Sequence, residues 1–555
     1  MRRLVGALVG LGLVSVGLTG CSDETNLATS PQSPVGNAST QGMPDDHWHP
    51  DEQHSAGVAR RVPGFGGFSF DDQGNLILFM KVPENAQAVG LARAILRPYQ
   101  ESQRGAWPRG VAHPEVIVRE AQFTFVDLQR FRASIDRDVL TSPGVSFVDL
   151  DERINRLVIG LDPAGASLAQ GMIEGVLRRH GVPRDAVEFD VGTLSIQPPT
   201  NVCETADPNC TPPPSDPCAN DGWCENTDPC TIDPGSCGPD PCTIDSASCT
   251  PSYSYDSALN IHIRDKVRPI VGGIGIVNAP ANAMPSWSTL GFSVYYCPPP
   301  QGTWGMGGSQ CAYYYVVTSH QTGIYAEVRG VKFYQPTSAV SDGYIGPEAY
   351  DPRWHTMAFA LHFDPEWSYL GSSCQKYTSA NSLVCRRSDA ALIHQQGPSF
   401  YFGHLARLRR YSDSGEYGAL QFEIDPNNHY MQIVGEAWAE PGQLVDKIGA
   451  VTGRRTGVVQ RKCVDKPRRG TGYYEPYNMV FRCQTEVQWT RTDNGDSGGP
   501  VFRRLTDGTV QLLGVHTAAL QTHLGYYASV ANIRNDFGIR NDNLVHFQTY
   551  GTPPR

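Results

Sequence analysis

Apolar and polar positions divide the chain into stretches with different periods. Arg2 and Arg3 precede a largely apolar run from Leu4 to Leu18, the composition of a secretory signal rather than of a spanning helix. Residues 22–60 are rich in Ser, Pro, Gln, Asp, Gly and His, with no repeating apolar spacing. That composition predicts a disordered tether over 21–60. From 61 to 198 short apolar runs return, separated by turn residues, and they predict an α+β module. Residues 199–267 lose the period again and accumulate Cys, Pro, Asp, Asn and Thr, which predicts a loop-rich linker. Beyond 268 the apolar runs are aromatic and β-branched, and they predict strands only.

Inside the module, Phe68-Ser69-Phe70 and Leu76-Ile77-Leu78-Phe79 flank Asp71-Asp72-Gln73-Gly74-Asn75, a hairpin pattern. Val116-Ile117-Val118 is a further strand. Phe147 to Glu152 turns at Arg153-Ile154-Asn155 and returns through Arg156 to Leu161. A helix is expected from Ser167, with Leu168, Ile173, Val176 and Leu177 on one face and its end at His180-Gly181-Val182-Pro183. In the last part of the chain, Ala312 to Thr318 reads as a strand with His320 just past its end. Val510 to Ala518 and Gly525 to Val530 read as two more.

The string Gly495-Asp496-Ser497-Gly498-Gly499-Pro500, followed by Val501-Phe502, carries the most chemistry. A serine hydroxyl attacks a carbonyl only when a base takes its proton, and the oxyanion that forms needs donors aimed at it. The string could also be a plain surface turn, since Asp, Ser, Gly and Pro favour turns. It resembles, however, the nucleophile segment of the chymotrypsin-like serine peptidases. His320, after Tyr315-Val316-Val317-Thr318-Ser319, resembles their catalytic histidine, although Gln321 stands where that family usually has cysteine. Asp389, in Ser388-Asp389-Ala390-Ala391-Leu392-Ile393, resembles their orienting acid. Asp364, in His362-Phe363-Asp364-Pro365, competes for that role. His394 is expected to pack or to face solvent.

The resemblance covers roughly 268–540. It implies two six-stranded antiparallel barrels with the site between them, and the order His320, Asp389, Ser497 is that of this family and not of α/β-hydrolases or subtilisin. It makes Ser497 the nucleophile, His320 the base and Asp389 its orienting acid, with the Gly495 and Ser497 N–H groups as oxyanion donors. Thr517 and Ala518 fall on the strand that would pair with substrate, and counting puts Arg491 near the base of the specificity pocket. No metal or organic cofactor is implied. Ile270-Val271-Gly272-Gly273 resembles the start of a mature peptidase. Asp496 is then expected to pair either with an amine freed at Ile270 or, as in the bacterial branch, with an arginine, and the second is preferred.

The strand-turn-strand-helix unit before residue 181 resembles the pro-region of α-lytic-protease-like enzymes. It implies a folding aid that also inhibits the site. A second globular domain and a binding module remain open alternatives. Leu18-Thr19-Gly20-Cys21 resembles a bacterial lipoprotein signal, which implies lipidation of Cys21 and anchoring in the cell envelope at the outer membrane or cell surface; simple cleavage without lipidation is the alternative. Residues 541–555 are expected as a tail.

Of the fifteen cysteines, setting Cys21 aside leaves even groups. One lies in the linker: Cys203, Cys210, Cys218, Cys224, Cys230, Cys237, Cys242 and Cys249. The other is Cys297, Cys311, Cys374, Cys385, Cys463 and Cys483. Even groups suit an oxidising compartment, and spacing suggests the pairs 297–311, 374–385 and 463–483. The net charge of −11 speaks against a nucleic-acid partner. The expected activity is a secreted or surface-anchored serine endopeptidase acting on proteins or peptides. A silent peptidase-fold binding protein and a peptidase limited to self-processing are the alternatives.

Overall fold

The computed structural model describes residues 50–71, 73–103, 115–192, 261–279, 286–297, 311–322, 330–340, 342–352, 355–359, 372–375, 384–409, 422–468, 479–519, 523–537 and 547–550. All of them fall in one compact unit, Pro44–Arg555. The apolar leader, Cys21, Asp364 and the linker cysteines lie outside the described residues.

The N-terminal module runs α1 (Pro50–Arg61), β1 (Phe65–Phe70), β2 (Leu76–Met80), α2 (Ala86–Ser102), β3 (Val116–Glu120), α3 (Phe125–Leu140), β4 (Val145–Asp151), β5 (Arg156–Leu161), α4 (Ala166–His180) and β6 (Val187–Val191). Strands β1 and β2 are antiparallel and β3 lies parallel to β2. Strands β4 and β5 are antiparallel and β6 lies parallel to β5. Helix ends follow local chemistry. Thr124 and Asp127 form a reciprocal capping box on α3, and Gly181 closes α4 in the left-handed conformation.

The module differs from the sequence pattern in three places. Helix α1 begins at Pro50, inside the stretch expected as a tether, because Ala56, Val58 and Val62 bury against Phe65 and Phe68. Helices α2 and α3 lie where no helix was expected. Leu168 is 73 % exposed; the buried face of α4 is Ala169, Ile173, Val176 and Leu177, since Leu168 falls one position out of the stripe.

The remaining strands are β7 (Ile270–Gly272), β8 (Gly275–Ala279), β9 (Ser286–Thr289), β10 (Ser293–Tyr296), β11 (Ala312–Thr318), β12 (Lys332–Tyr334), β13 (Tyr344–Tyr350), β14 (His355–Phe359), β15 (Ser372–Gln375), β16 (Val384–Arg386), β17 (Ala390–His394), β18 (Phe400–Ala406), β19 (Tyr430–Glu436), β20 (Leu444–Gly449), β21 (Gly453–Arg468), β22 (Met479–Trp489), β23 (Pro500–Arg504), β24 (Val510–Ala519), β25 (Leu524–Ser529) and β26 (Phe547–Gln548). A short helix α5 (Val530–Asp536) follows β25. This part is mostly β.

The first sheet has the order β26-β10-β11-β17-β13-β12-β8-β9. Among the described residues these eight strands follow one path, without showing the six-stranded barrel that was expected. Strand β26 belongs to the stretch expected as a tail, and Ile263 and Val267, fully buried, belong to the stretch expected as linker. In the second sheet the pairings β20–β21, β21–β22, β22–β25, β25–β24, β24–β23 and β23–β20 return to their start. All six are antiparallel, and the ring encloses Val445, Val459, Val487, Trp489, Val501, Leu513 and Tyr527. Burial alternates along Gly453–Val459, as a strand with one face inward requires.

The module docks on the outside of this ring. Val148 of β4 pairs with Asp465 of β21, so the β4-β5-β6 sheet continues the edge of the second sheet. Phe147 and Val158 pack with Val464 and Tyr526, and the module core takes in Cys385 and Val480. Arg132 reaches Asp465 at 2.6 Å with both side chains buried, and Gln103 accepts from Gln443 Nε2 at 2.9 Å. Disulfides join Cys297 to Cys311 and Cys463 to Cys483. Cys385 is also disulfide-bonded, its partner lying outside the described side chains.

Candidate active site

Strands β11 and β17 are antiparallel with Thr318 opposite Ala390. That register brings the residue after Ser319 and the residue before Ala390 out at the same sheet end. His320 occupies a short 3-10 turn, Ser319–Thr322, and Asp389 enters β17. Ser319 N donates to Asp389 O at 3.0 Å. His320 Nδ1 meets Asp389 Oδ2 at 2.6 Å, and His320 N donates to Asp389 Oδ1 at 3.3 Å. The Asp389 side chain is 3 % exposed and that of His320 25 %. A buried carboxylate on Nδ1 orients the imidazole ring.

The loop before β23 holds Ser497. Gly498 N donates to His516 O and His516 N to Gly499 O, both at 2.8 Å, so β24 backs the loop. From the first sheet, Thr289 N donates to Ser497 O at 3.1 Å and Thr289 Oγ1 to Gly495 O at 2.8 Å. Gly495 has φ +93°, and a Cβ there would lie 2.5 Å from Val451 Cγ2, so both conformation and space call for glycine. At Gly291 a Cβ would lie 2.7 Å from Val316 O and 2.9 Å from Gly498 O. That close approach seats the strand leading to His320 beside the loop carrying Ser497. Ser497 Oγ lies 3.5 Å from Thr517 O.

Asp496 is fully buried and ion-paired with Lys447 of β20, itself fully buried. The expected arginine is therefore replaced by a lysine, and Ile270 lies within β7, paired with β18. The substitution was not readable because Lys447 is distant in sequence and looks like any polar strand residue. Thr452 N and Val451 N also donate to Asp496 Oδ1, at 2.9 and 3.1 Å. Burial pushes the Asp496 carboxyl up, but Lys447's charge and hydrogen bond, with Thr452, more than offset this and hold it below the usual range. Burial pulls the Lys447 ammonium down, against the pull of Asp496.

His516 was not singled out by its sequence. It is fully buried, contacts Thr492 Oγ1 through Nε2 at 2.9 Å, and stands edge-on to Trp489. Its pKa is lowered, first by burial and then by the charge of Lys447. Thr517 is buried, its hydroxyl donating to Tyr526 O at 3.1 Å, and Ala518 is half-buried. Arg491 lies 3.7 Å from Asp493. His394 is half-buried against Tyr314, with Gln396 Nε2 3.1 Å from its Nδ1. Among the described residues no group of three or more His, Cys, Asp or Glu could hold a metal ion.

No protein-family model matches the chain, and no curated protein matches it. Solved structures do. Thermobifida fusca protease A is similar over 50 % of this chain and 98 % of its own, at 17 % identity and a TM-score of 0.27. A Nocardiopsis protease is similar over 50 % and 99 %, at 15 % identity and a TM-score of 0.27. A glutamic acid-specific serine protease, described as using a histidine triad in substrate binding, is similar over 50 % and 100 %, at 17 % identity and a TM-score of 0.27. The solved structures similar to this chain are proteases, serine proteases among them.

Proposed function

We propose that this chain is a serine endopeptidase that cleaves protein or peptide substrates through an acyl-enzyme intermediate. The observation that supports this best is the 2.6 Å contact of His320 Nδ1 with the buried Asp389 carboxylate, at the sheet end that Gly291 seats against the Ser497 loop. In this reading Ser497 attacks the carbonyl, and His320 takes its proton and returns it to the leaving amine. Asp389 holds the ring and stabilises the imidazolium. The Gly495 and Ser497 N–H groups stabilise the oxyanion, and Thr517 and Ala518 lie along the bound substrate. The buried Lys447–Asp496 pair holds the loop in shape without a freed N-terminal amine.

The docked module supports a regulated form of this activity. Strand β4 joins β21 and the interface buries charged side chains from both parts, a persistent contact that fits a pro-region-like folding aid and inhibitor. Export by the leader, lipidation of Cys21 and residence in a bacterial cell envelope complete the proposal.

The test is digestion of a peptide library by the purified chain, with Ser497→Ala alongside and cleavage sites mapped by mass spectrometry. Cleavage that disappears in Ser497→Ala supports the reading and gives the preferred side chain. Cleavage retained by that variant refutes it. A folded, fully processed sample that cleaves nothing supports a silent binding protein, and new N-termini confined to about 250–270 of the chain itself, without cleavage of added protein, support self-processing.

A further inference from the structure

We propose that Asp351, Arg386 and Asp536 are positioning residues for the His320–Asp389 pair, acting through the two segments that carry it. The inference rests on the peptidase reading of that pair.

The two segments are Ser319-His320 and Arg386-Arg387-Ser388-Asp389-Ala390. Asp351 lies just past β13 and grips the first. The Ser319 hydroxyl donates to its carboxylate, with Oγ 2.7 and 2.8 Å from the two oxygens. Arg386 ties this grip to the second segment. Its Nη1 donates to Asp351 Oδ1 at 3.0 Å and to Ser319 Oγ at 3.0 Å, and its Nη2 donates to Ala390 O at 2.9 Å. Arg386 and Asp351 are both fully buried. One guanidinium thus bridges the residue preceding His320 and the residue following Asp389.

Asp536 holds the same segment through its backbone N–H groups. It comes from α5, after the last strand of the second sheet. Its carboxylate accepts from Arg387 N at 3.0 and 3.1 Å, from Ser388 N at 2.6 Å and from Ser388 Oγ at 2.7 Å. Gln484 Nε2 of β22 adds a bond to Arg387 O at 2.8 Å. The Asp389 segment is therefore clamped by side chains from both sheets.

Stability alone gives little reason for this arrangement. A buried ion pair is often no better than well-packed apolar side chains of the same volume, because desolvation offsets the attraction. Charge-assisted hydrogen bonds do have short, directional geometry. That serves a site in which a displacement of about 1 Å lowers the rate roughly 100-fold. Asp351, Arg386 and Asp536 touch neither His320 nor Asp389 side chains in these bonds; they fix the backbone from which both project.

The test uses the full chain with Ser319→Ala, Asp536→Ala, Asp536→Asn and Asp351→Asn. Ser319→Ala leaves the Arg386–Asp351 pair intact and decides the matter should Asp351→Asn fail to fold. Readouts are kcat and KM on a peptide substrate, and the titration of His320 followed by NMR of labelled histidine. Expected are a fall in kcat of about tenfold to 100-fold with KM changed less than about twofold. The His320 titration moves to lower pH, since a displaced Asp389 stabilises the imidazolium less. Asp536→Asn, which keeps an acceptor oxygen, recovers part of what Asp536→Ala loses. Folded Ser319→Ala and Asp536→Ala proteins with unchanged His320 titration overturn the inference. If a folded, fully processed sample of the unaltered chain cleaves nothing, the peptidase reading fails, yet the His320 titration still decides whether these residues position the pair.

Discussion

The ammonium of Lys447 donates to the carboxylate of Asp496 directly behind the loop that carries Ser497, and neither side chain reaches solvent. Lys447 sits on β20, two residues before Gly449, where a Cβ would lie 2.1 Å from Asp496 Oδ1. Strand and loop are thus fitted to each other around one charge pair. Removing one partner leaves the other buried and uncompensated. We expect Lys447→Met to destabilise the chain by about 3–5 kcal/mol, read by urea denaturation. An unfolding midpoint equal to that of the unaltered chain would show that the pair does not hold the loop.

Asp389 is the residue through which the imidazole of His320 is fixed. Asp389→Asn keeps the shape but offers an amide where the ring presents its N–H. Activity on a peptide substrate is expected to fall by about 10⁴-fold, with circular dichroism and melting temperature little changed. A loss smaller than tenfold in a folded variant would remove Asp389 from the mechanism.

Glu152 responds to pH at the docked module. It is fully buried, with Ser55 Oγ 2.7 Å from both carboxylate oxygens and Phe68 N donating at 2.7 Å. Lys462 lies 3.9 Å away, across the interface. Burial pushes its pKa up to about 7, only partly countered by Lys462. The folded pKa exceeds the unfolded one, so its contribution is fully present below about pH 4 and is lost as pH rises through about 7. Glu152→Gln should flatten that part of the stability curve between pH 4 and 7. Thermal melts of the two proteins across this range provide the comparison, and identical pH slopes would contradict the assignment.

Phe147 joins the module to the second sheet. It is fully buried against Val464 and Tyr526, with the ammonium of Lys466 4.5 Å and the guanidinium of Arg461 4.7 Å from its ring centre. Phe147→Ala should cost about 3–5 kcal/mol. If docking depends on this contact, hydrogen exchange at the β4–β21 junction should quicken more than exchange within β24. Equal change at both places would mean a general loss of stability.

The hairpins of the module were legible because short apolar runs flank turns rich in Asp, Asn and Gly: β1–β2 and β4–β5 lie where those signals put them. Helices α2 and α3 were missed. The apolar face of α3 is interrupted by polar residues, among them Arg132 and Asp136, which are buried where the second sheet supplies them with Asp465 and Arg482. Ser497, His320 and Asp389 were nominated because the strings around them resemble those of the chymotrypsin-like serine peptidases.

Sequence by itself determined the hairpins β1–β2 and β4–β5, helix α4 and the change from an α+β module to a strand-rich part, because local apolar runs and turn residues carry those signals. Only the tertiary structure decided which distant side chains and strands meet. It put Lys447 on Asp496, Arg386 and Asp351 around Ser319, Asp536 on the Asp389 segment, and β4 on β21. These are pairings between residues far apart in the chain. A buried charge acquires its partner from packing rather than from its neighbours in sequence, so no local pattern announces it.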